Sequence, residues 1–370
     1  MHYNRMPIEV ESPEELGYST IKYNLAESSV RDRTWQELNL NLSGLTISYG
    51  EHRGKQALRE LIASESQPLQ TNDVLITSGA ASALFVVATT LLGSQDHLVV
   101  IRPNYSTNLE TPRAIGCAMS VIDLAFENNF EFSIEQIREA IKPNTRLISI
   151  TNPHNPTGKV FSESLVNQLI SLAEEKGIYL LVDETYRDLN FQSELLPYQA
   201  SKSKQVISVC SLSKAFGVPG IRTGWLICQD KTLMHDFLAA KEQIIITNSV
   251  VDEEIAYQLL AQKQAFLPPI HAHIRANFAL LKTWFAQQPF LEWVEPQAGV
   301  VAFPRIKADF QIDTERFYQS LYHNYQTLVG AGHWFEQEKT YFRLGFGFPT
   351  AEELSEGLRR LEVCLGESRK

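Results

Sequence analysis

The sequence has little cysteine and no cysteine pairing pattern. Cys117, Cys210, Cys228 and Cys364 stand far apart and form no C-x-x-C, so buried free thiols in a reducing compartment are expected. Long apolar runs are lacking. The stretch Ala83–Leu92 holds two threonines and is too short to span a bilayer. The N-terminus is acidic and has no apolar core of a signal peptide, so a soluble cytoplasmic protein is expected. Glycine and proline make up 35 of 370 residues, which leaves no room for low-complexity or collagen-like readings. Positive charge is in deficit: 33 Lys and Arg face 43 Asp and Glu, a net charge of −10. That balance opposes binding to nucleic acid or an anionic membrane, but not one small anion in a local basic site. There is no G-x-G-x-x-G or G-K-[ST], so nicotinamide and nucleotide-triphosphate sites lose their main signal.

What the chain has is a rhythm. Short β-branched runs at Val74–Thr77, His97–Arg102, Ser120–Leu124, Arg146–Thr151, Ile178–Asp183, Val206–Ser211 and Gly224–Cys228 alternate with helical patterns at Ser82–Leu92, Ser133–Ile141 and Ser164–Lys176. Ser133 with Gln136 fits a capping box. This alternation predicts βαβ units and a mostly parallel, seven-stranded sheet covered by helices, an α/β fold. Residues 231–245 and 251–288 read as helices, the second kinked or broken at Pro268-Pro269. The expected division is a segment 1–48 joining a small α+β domain at 286–370, around a large domain at 49–285 that includes the interdomain helix.

In open α/β sheets, ligands bind at the carboxyl ends of strands. The residues following the predicted strands are Ser78-Gly79-Ala80-Ala81-Ser82, Pro103-Asn104-Tyr105, Asn152-Pro153-His154-Asn155-Pro156-Thr157-Gly158, Asp183-Glu184-Thr185-Tyr186, and Ser211-Leu212-Ser213-Lys214 with Arg222 beyond. A helix start of small residues suits a phosphate, to which Ser211 and Arg222 add a hydroxyl and a guanidinium. A partly desolvated amine at Lys214, its pKa lowered beside a second cation, would attack an aldehyde. Asp183 facing a pyridine nitrogen would keep it protonated, and Tyr105 could cover a flat ring. Aldehyde, phosphate and pyridine together describe pyridoxal 5′-phosphate.

Four motifs in this order, Asn155-Pro156-Thr157-Gly158, Asp183-x-x-Tyr186, Ser211-x-x-Lys214 with Arg222, and Phe342-Arg343-Leu344, resemble the class I/II, fold type I aminotransferases typified by aspartate aminotransferase. Tyr49-Gly50, Gly54 and Leu58-Arg59 add to the likeness, which runs from about residue 24 to 360. The resemblance implies roles. Lys214 is the Schiff-base lysine and proton shuttle, Asp183 the pyridinium partner, and Asn155 and Tyr186 the donors to the ring's phenolic oxygen. Gly79, Ala80, Ala81, Ser211 and Arg222 cradle the phosphate. Tyr49 reaches the phosphate of a neighbouring subunit, so a homodimer with shared sites follows. Arg343 grips the α-carboxylate of an L-amino acid or 2-oxo acid in ping-pong transamination. A lyase or cyclase on the same scaffold is the alternative, and a non-catalytic binding module a weaker one.

Plainer readings stand beside these. Taken alone, Lys214 and Arg343 are surface cations, Asp183 a helix cap, Asn155 an Asx-Pro turn, Tyr105 core packing, Tyr49 a surface aromatic and His154 a backbone partner. The sequence also departs from the family. Asn24-Leu25-Ala26-Glu27-Ser28-Ser29 replaces the usual Gly-x-Pro, so Glu27 or Ser28 would line the substrate entrance. Val329-Gly330-Ala331-Gly332 stands where proline-glycine is usual, and Ile244–Val251 contains no arginine for a second substrate carboxylate. No metal ligand set is expected.

Overall fold

The computed structural model describes residues 1–192 and 196–370. Seven strands form the central sheet: β1 (Val74–Thr77), β2 (His97–Arg102), β3 (Ala118–Asp123), β4 (Thr145–Thr151), β5 (Tyr179–Asp183), β6 (Val206–Ser211) and β7 (Gly224–Cys228). Each lies within two residues of its expected bounds. The spatial order is β1-β7-β6-β5-β4-β2-β3. Strands β2 to β6 run parallel to one another, and β7 runs antiparallel to both β1 and β6.

The strands read as nearly unbroken apolar runs because both faces are covered. Alternate residues feed two cores. Leu75, Leu98, Val100, Leu181, Val209 and Leu226 pack with helices Gly79–Leu91 and Lys231–Ile244 on one side. Ile76, Val99, Ile148, Val182, Cys210 and Trp225 pack with Glu163–Lys176 on the other. All four cysteines are buried and free.

Helix Ile134–Ala140 carries the expected Ser133/Gln136 capping box. Two helical expectations need correction. Helix Thr107–Ile115 goes unread in the sequence because Pro112 lies inside it. The expected break at Pro268-Pro269 falls instead at Gln262, between helices Val250–Ala261 and Lys263–Gln287. With the break at Gln262, the prolines fall in the second turn of the later helix, which runs on through them.

The C-terminal part builds a small antiparallel sheet in which Phe342–Gly345 lies between Val301–Ala302 and Gly330–Ala331. The N-terminal segment joins it: Tyr23–Asn24 pairs in parallel with Thr327–Leu328. The Gly345 N–H then donates to the Leu25 carbonyl at 2.7 Å. Gly345 has no room for a Cβ, which would collide with the Glu27 carbonyl. Among the described residues no helix is long and apolar enough to cross a membrane, and no group of three or more His, Cys, Asp or Glu could hold a metal ion.

Candidate active site

One topological feature gathers the first half of the site. Strand β7 begins where β1 and β6 end: Gly224 lies opposite Thr77 on one side and Ser211 on the other. Three loops therefore converge: the turn into helix Gly79–Leu91, the segment Ser211–Lys214, and the bend at Arg222. A Cβ on Gly224 would lie 2.5 Å from the Gly79 carbonyl carbon, and one on Gly79 2.5 Å from an Arg222 guanidinium nitrogen. Glycine at both places lets the guanidinium close on the helix entry, with Ala80 and Ala81 following in its first turn. Arg222 Nη1 donates to the Pro219 carbonyl at 2.9 Å and to Ser213 Oγ at 3.4 Å. Backbone N–H groups, a hydroxyl and a guanidinium in one cradle make an anion site.

The parallel ends of β4 and β5 supply the other half. Thr151 pairs with Asp183 in register. The buried Asp183 carboxylate accepts hydrogen bonds from the Thr185 N–H at 3.0 Å and hydroxyl at 2.6 Å. Burial raises its pKa, and the Thr185 and Asn108 hydrogen bonds only partly offset this. All these donors are neutral. A ligand that brings a proton on a ring nitrogen would supply the missing counter-charge, which is the fit expected of pyridoxal phosphate. Behind Asp183, Asn104 Oδ1 accepts from Thr151 Oγ1 at 2.9 Å and Asn108 Nδ2 at 3.0 Å.

Between the halves lies Lys214, its side chain 28% exposed and its ammonium 3.5 Å from Glu27 Oε1. Desolvation pulls its pKa down, but Glu27, Tyr186 and Tyr105 outweigh it, and the net shift is upward. The lowered pKa expected for this amine is therefore corrected: the largest influence opposing burial is the carboxylate of Glu27. Glu27 in turn is held below the usual range; burial would raise it, and Lys214 and Arg343 overcome that. Ser28, which is buried, donates its N–H to Glu27 Oε1 at 2.9 Å.

Arg343 is only 5% exposed, not a surface charge. Its Nη1 donates to Asn155 Oδ1 at 3.3 Å and its Nη2 to the Ala26 carbonyl at 2.7 Å, while its buried Nε has no partner. Burial lowers its pKa, partly countered by Tyr186, Glu27 and Tyr105. Lys214, Glu27, Ser28, Arg343, Asn155, Tyr186 and Tyr105 are thus brought together, and Asp183, Gly79, Ser211 and Arg222 lie along the same sheet edge.

Two residues fall outside this set. Tyr49 is 87% exposed, and the single chain does not bring it to the site. His154 is buried, its Nε2 donating to the Pro103 carbonyl at 2.9 Å and its Nδ1 accepting from Thr157 Oγ1 at 2.7 Å. Burial drives its pKa down to about 3, so it is a neutral brace for the Asn152–Gly158 turn. Ser213, Thr185 and Asn108 join the site without having been singled out. Ser213 and Thr185 lay within the strand-end motifs, whereas Asn108 gave no signal because its helix went unread.

Comparison with known proteins agrees with this geometry. The family model described as Aminotransferase class I and II matches residues 20–361. Capreomycidine synthase of Streptomyces vinaceus is 27% identical over 94% of this chain and 91% of its own length. The arginine–pyruvate transaminase AruH of Pseudomonas aeruginosa is 27% identical over 86% and 82%. A PLP-dependent aminotransferase from Streptococcus suis 89-1591, 28% identical, superposes with a TM-score of 0.90 over all of both chains. On fold and sequence alike, the chain belongs to the aminotransferase class I and II family, a pyridoxal-phosphate-dependent family of fold type I.

Proposed function

We propose that the protein is an aminotransferase that moves an amino group between an L-amino acid and a 2-oxo acid, acting as a homodimer. The observation that carries this reading is the placement of Arg343, with an unpartnered buried Nε, close enough to the Lys214 amine for the two cations to act on each other. An amino acid held there by its carboxylate presents its Cα to a base.

Bound pyridoxal phosphate supplies an aldehyde for the substrate amine and a cationic ring that takes up the electron pair left at Cα. The residues then divide the work. The backbone of Gly79, Ala80 and Ala81, with Ser211 and Arg222, holds the phosphate. Asp183 keeps a proton on the facing ring nitrogen. Asn155 and Tyr186 would hold the ring by hydrogen bonds, and Tyr105 would pack against it. Lys214 Nζ would take the proton from substrate Cα and hold it for return. Arg343 pairs with the α-carboxylate, the geometry in which guanidinium recognition is strongest. Tyr49 of each chain serves the partner's phosphate, which accounts for its exposure in a single chain.

A second reading, a lyase or cyclase on the same scaffold, draws support from the identity to capreomycidine synthase along 94% of the chain. One experiment separates them. The coenzyme-loaded protein is incubated with single L-amino acids and no acceptor. Transamination yields one equivalent of 2-oxo acid with pyridoxamine phosphate, and an added oxo acid restores the starting coenzyme. Continuous release of ammonia, or a ring-closed product without acceptor, defeats the aminotransferase reading.

A further inference from the structure

The segment Asn24–Val30 is fixed against the site by three contacts. Leu25 is bonded to Gly345, the Ala26 carbonyl accepts from Arg343 Nη2, and the Val30 N–H donates to the Lys214 carbonyl at 3.0 Å. Gly345 leaves no space between the strand bearing Arg343 and the Glu27 backbone. Glu27 is therefore held beside Lys214 and Arg343, its side chain 16% exposed. Those two cations keep it ionised.

Neither stays available in the working protein. On the reading above, the Lys214 nitrogen is either bound to the coenzyme or acts as the neutral base at Cα, so it brings Glu27 no ammonium, and the unpartnered Arg343 Nε marks where the α-carboxylate docks. Glu27 is then left as a buried carboxylate facing the substrate. Its surroundings add negative charge: Glu27 and Glu14 both act on Asp32 and on Tyr18. The nearby cation Arg31 is already engaged by Glu353 and the Phe348 carbonyl. A buried carboxylate without a counter-ion is strongly unfavourable, and a cationic ligand relieves it.

We propose that Glu27 selects amino acids whose side chain ends in a protonated nitrogen, an ammonium or a guanidinium. This rests on the aminotransferase reading only for the fate of Lys214 and Arg343.

The test uses the coenzyme-loaded protein and the absorbance change on donor binding. Apparent dissociation constants are compared within matched pairs: L-arginine against L-citrulline, and L-lysine against L-norleucine. The cationic member binds about tenfold or more tighter in at least one pair, the size expected of a desolvated charge pair, and which pair shows it tells guanidinium from ammonium. In Glu27→Gln each ratio falls to within about threefold. Equal affinities within both pairs of the parent protein overturn the proposal, as does a preference that survives in Glu27→Gln. If that variant fails to fold, as judged by its thermal midpoint, the parent ratios decide together with Glu27→Asp, in which a shortened carboxylate reduces the preference without abolishing it. A Glu27-dependent preference in a protein that forms no 2-oxo acid defeats the aminotransferase reading alone. Transamination of neutral donors with no cationic preference defeats this one alone.

Discussion

Lys214 and Asp183 show how far single residues can be read from sequence. Their positions after β6 and β5 were legible because a strand end is a fixed place in a parallel sheet. The charge state of Lys214 was not, because it depends on Glu27, which is remote in the chain and arrives through the small sheet. Asp183 offers a test with opposite signs. Its folded-state pKa lies above the ordinary carboxylate value, so ionising it costs the coenzyme-free protein stability as pH rises through that range. Asp183→Asn therefore raises the thermal midpoint of the coenzyme-free chain at pH 7, and the gain shrinks as pH falls toward ~4, where the carboxylate takes up its proton. The same substitution weakens coenzyme binding by roughly 3–5 kcal/mol, measured by titration, because it removes one partner of a buried pair. Arg343→Ala weakens amino-acid binding by roughly 2–5 kcal/mol in half-reaction titrations, and an unchanged affinity would remove Arg343 from the substrate site.

At the scale of elements, short β-branched runs alternating with helical patterns made the sheet legible. What stayed hidden depends on contacts between distant segments. Glu65, Arg187, Asp188 and Lys263 form a buried ion network, with Lys263 Nζ 2.8 Å from Asp188 Oδ1 and Arg187 Nη1 2.7 Å from Glu65 Oε2. It ties the loop after Tyr186 to the start of helix Lys263–Gln287, and no local pattern announces it. Lys263→Met leaves Glu65 and Asp188 short of a counter-charge and destabilises the protein by roughly 3–5 kcal/mol in denaturant unfolding. Gly345→Ala pushes the small sheet off the Glu27 segment, with a loss of about 1–3 kcal/mol and weaker substrate binding. If Gly345→Ala proves neutral in both, the close approach of the two segments is not as described.

The whole molecule adds what one chain cannot show. Tyr49 and Ile47 are exposed at 87% and 74%, and Ile244 and Ile246 are exposed as well, large apolar side chains of the kind that interfaces cover. The proposed homodimer has about twice the 41.9 kDa chain mass by sedimentation. Mixing Tyr49→Ala and Lys214→Ala chains regenerates one intact site per hybrid dimer if Tyr49 serves its partner, so activity exceeds that of either parent; no gain on mixing would confine each site to one chain. Beneath all of this lies the claim that Lys214 and Asp183 address opposite ends of one bound coenzyme. Borohydride reduction of the coenzyme-loaded protein, followed by peptide mass spectrometry, tests it most directly. A phosphopyridoxyl group on Lys214, obtained in far lower yield from Asp183→Asn at equal limiting coenzyme, is the predicted result. A label on another lysine, or one on Lys214 whose coenzyme affinity ignores Asp183, would contradict it.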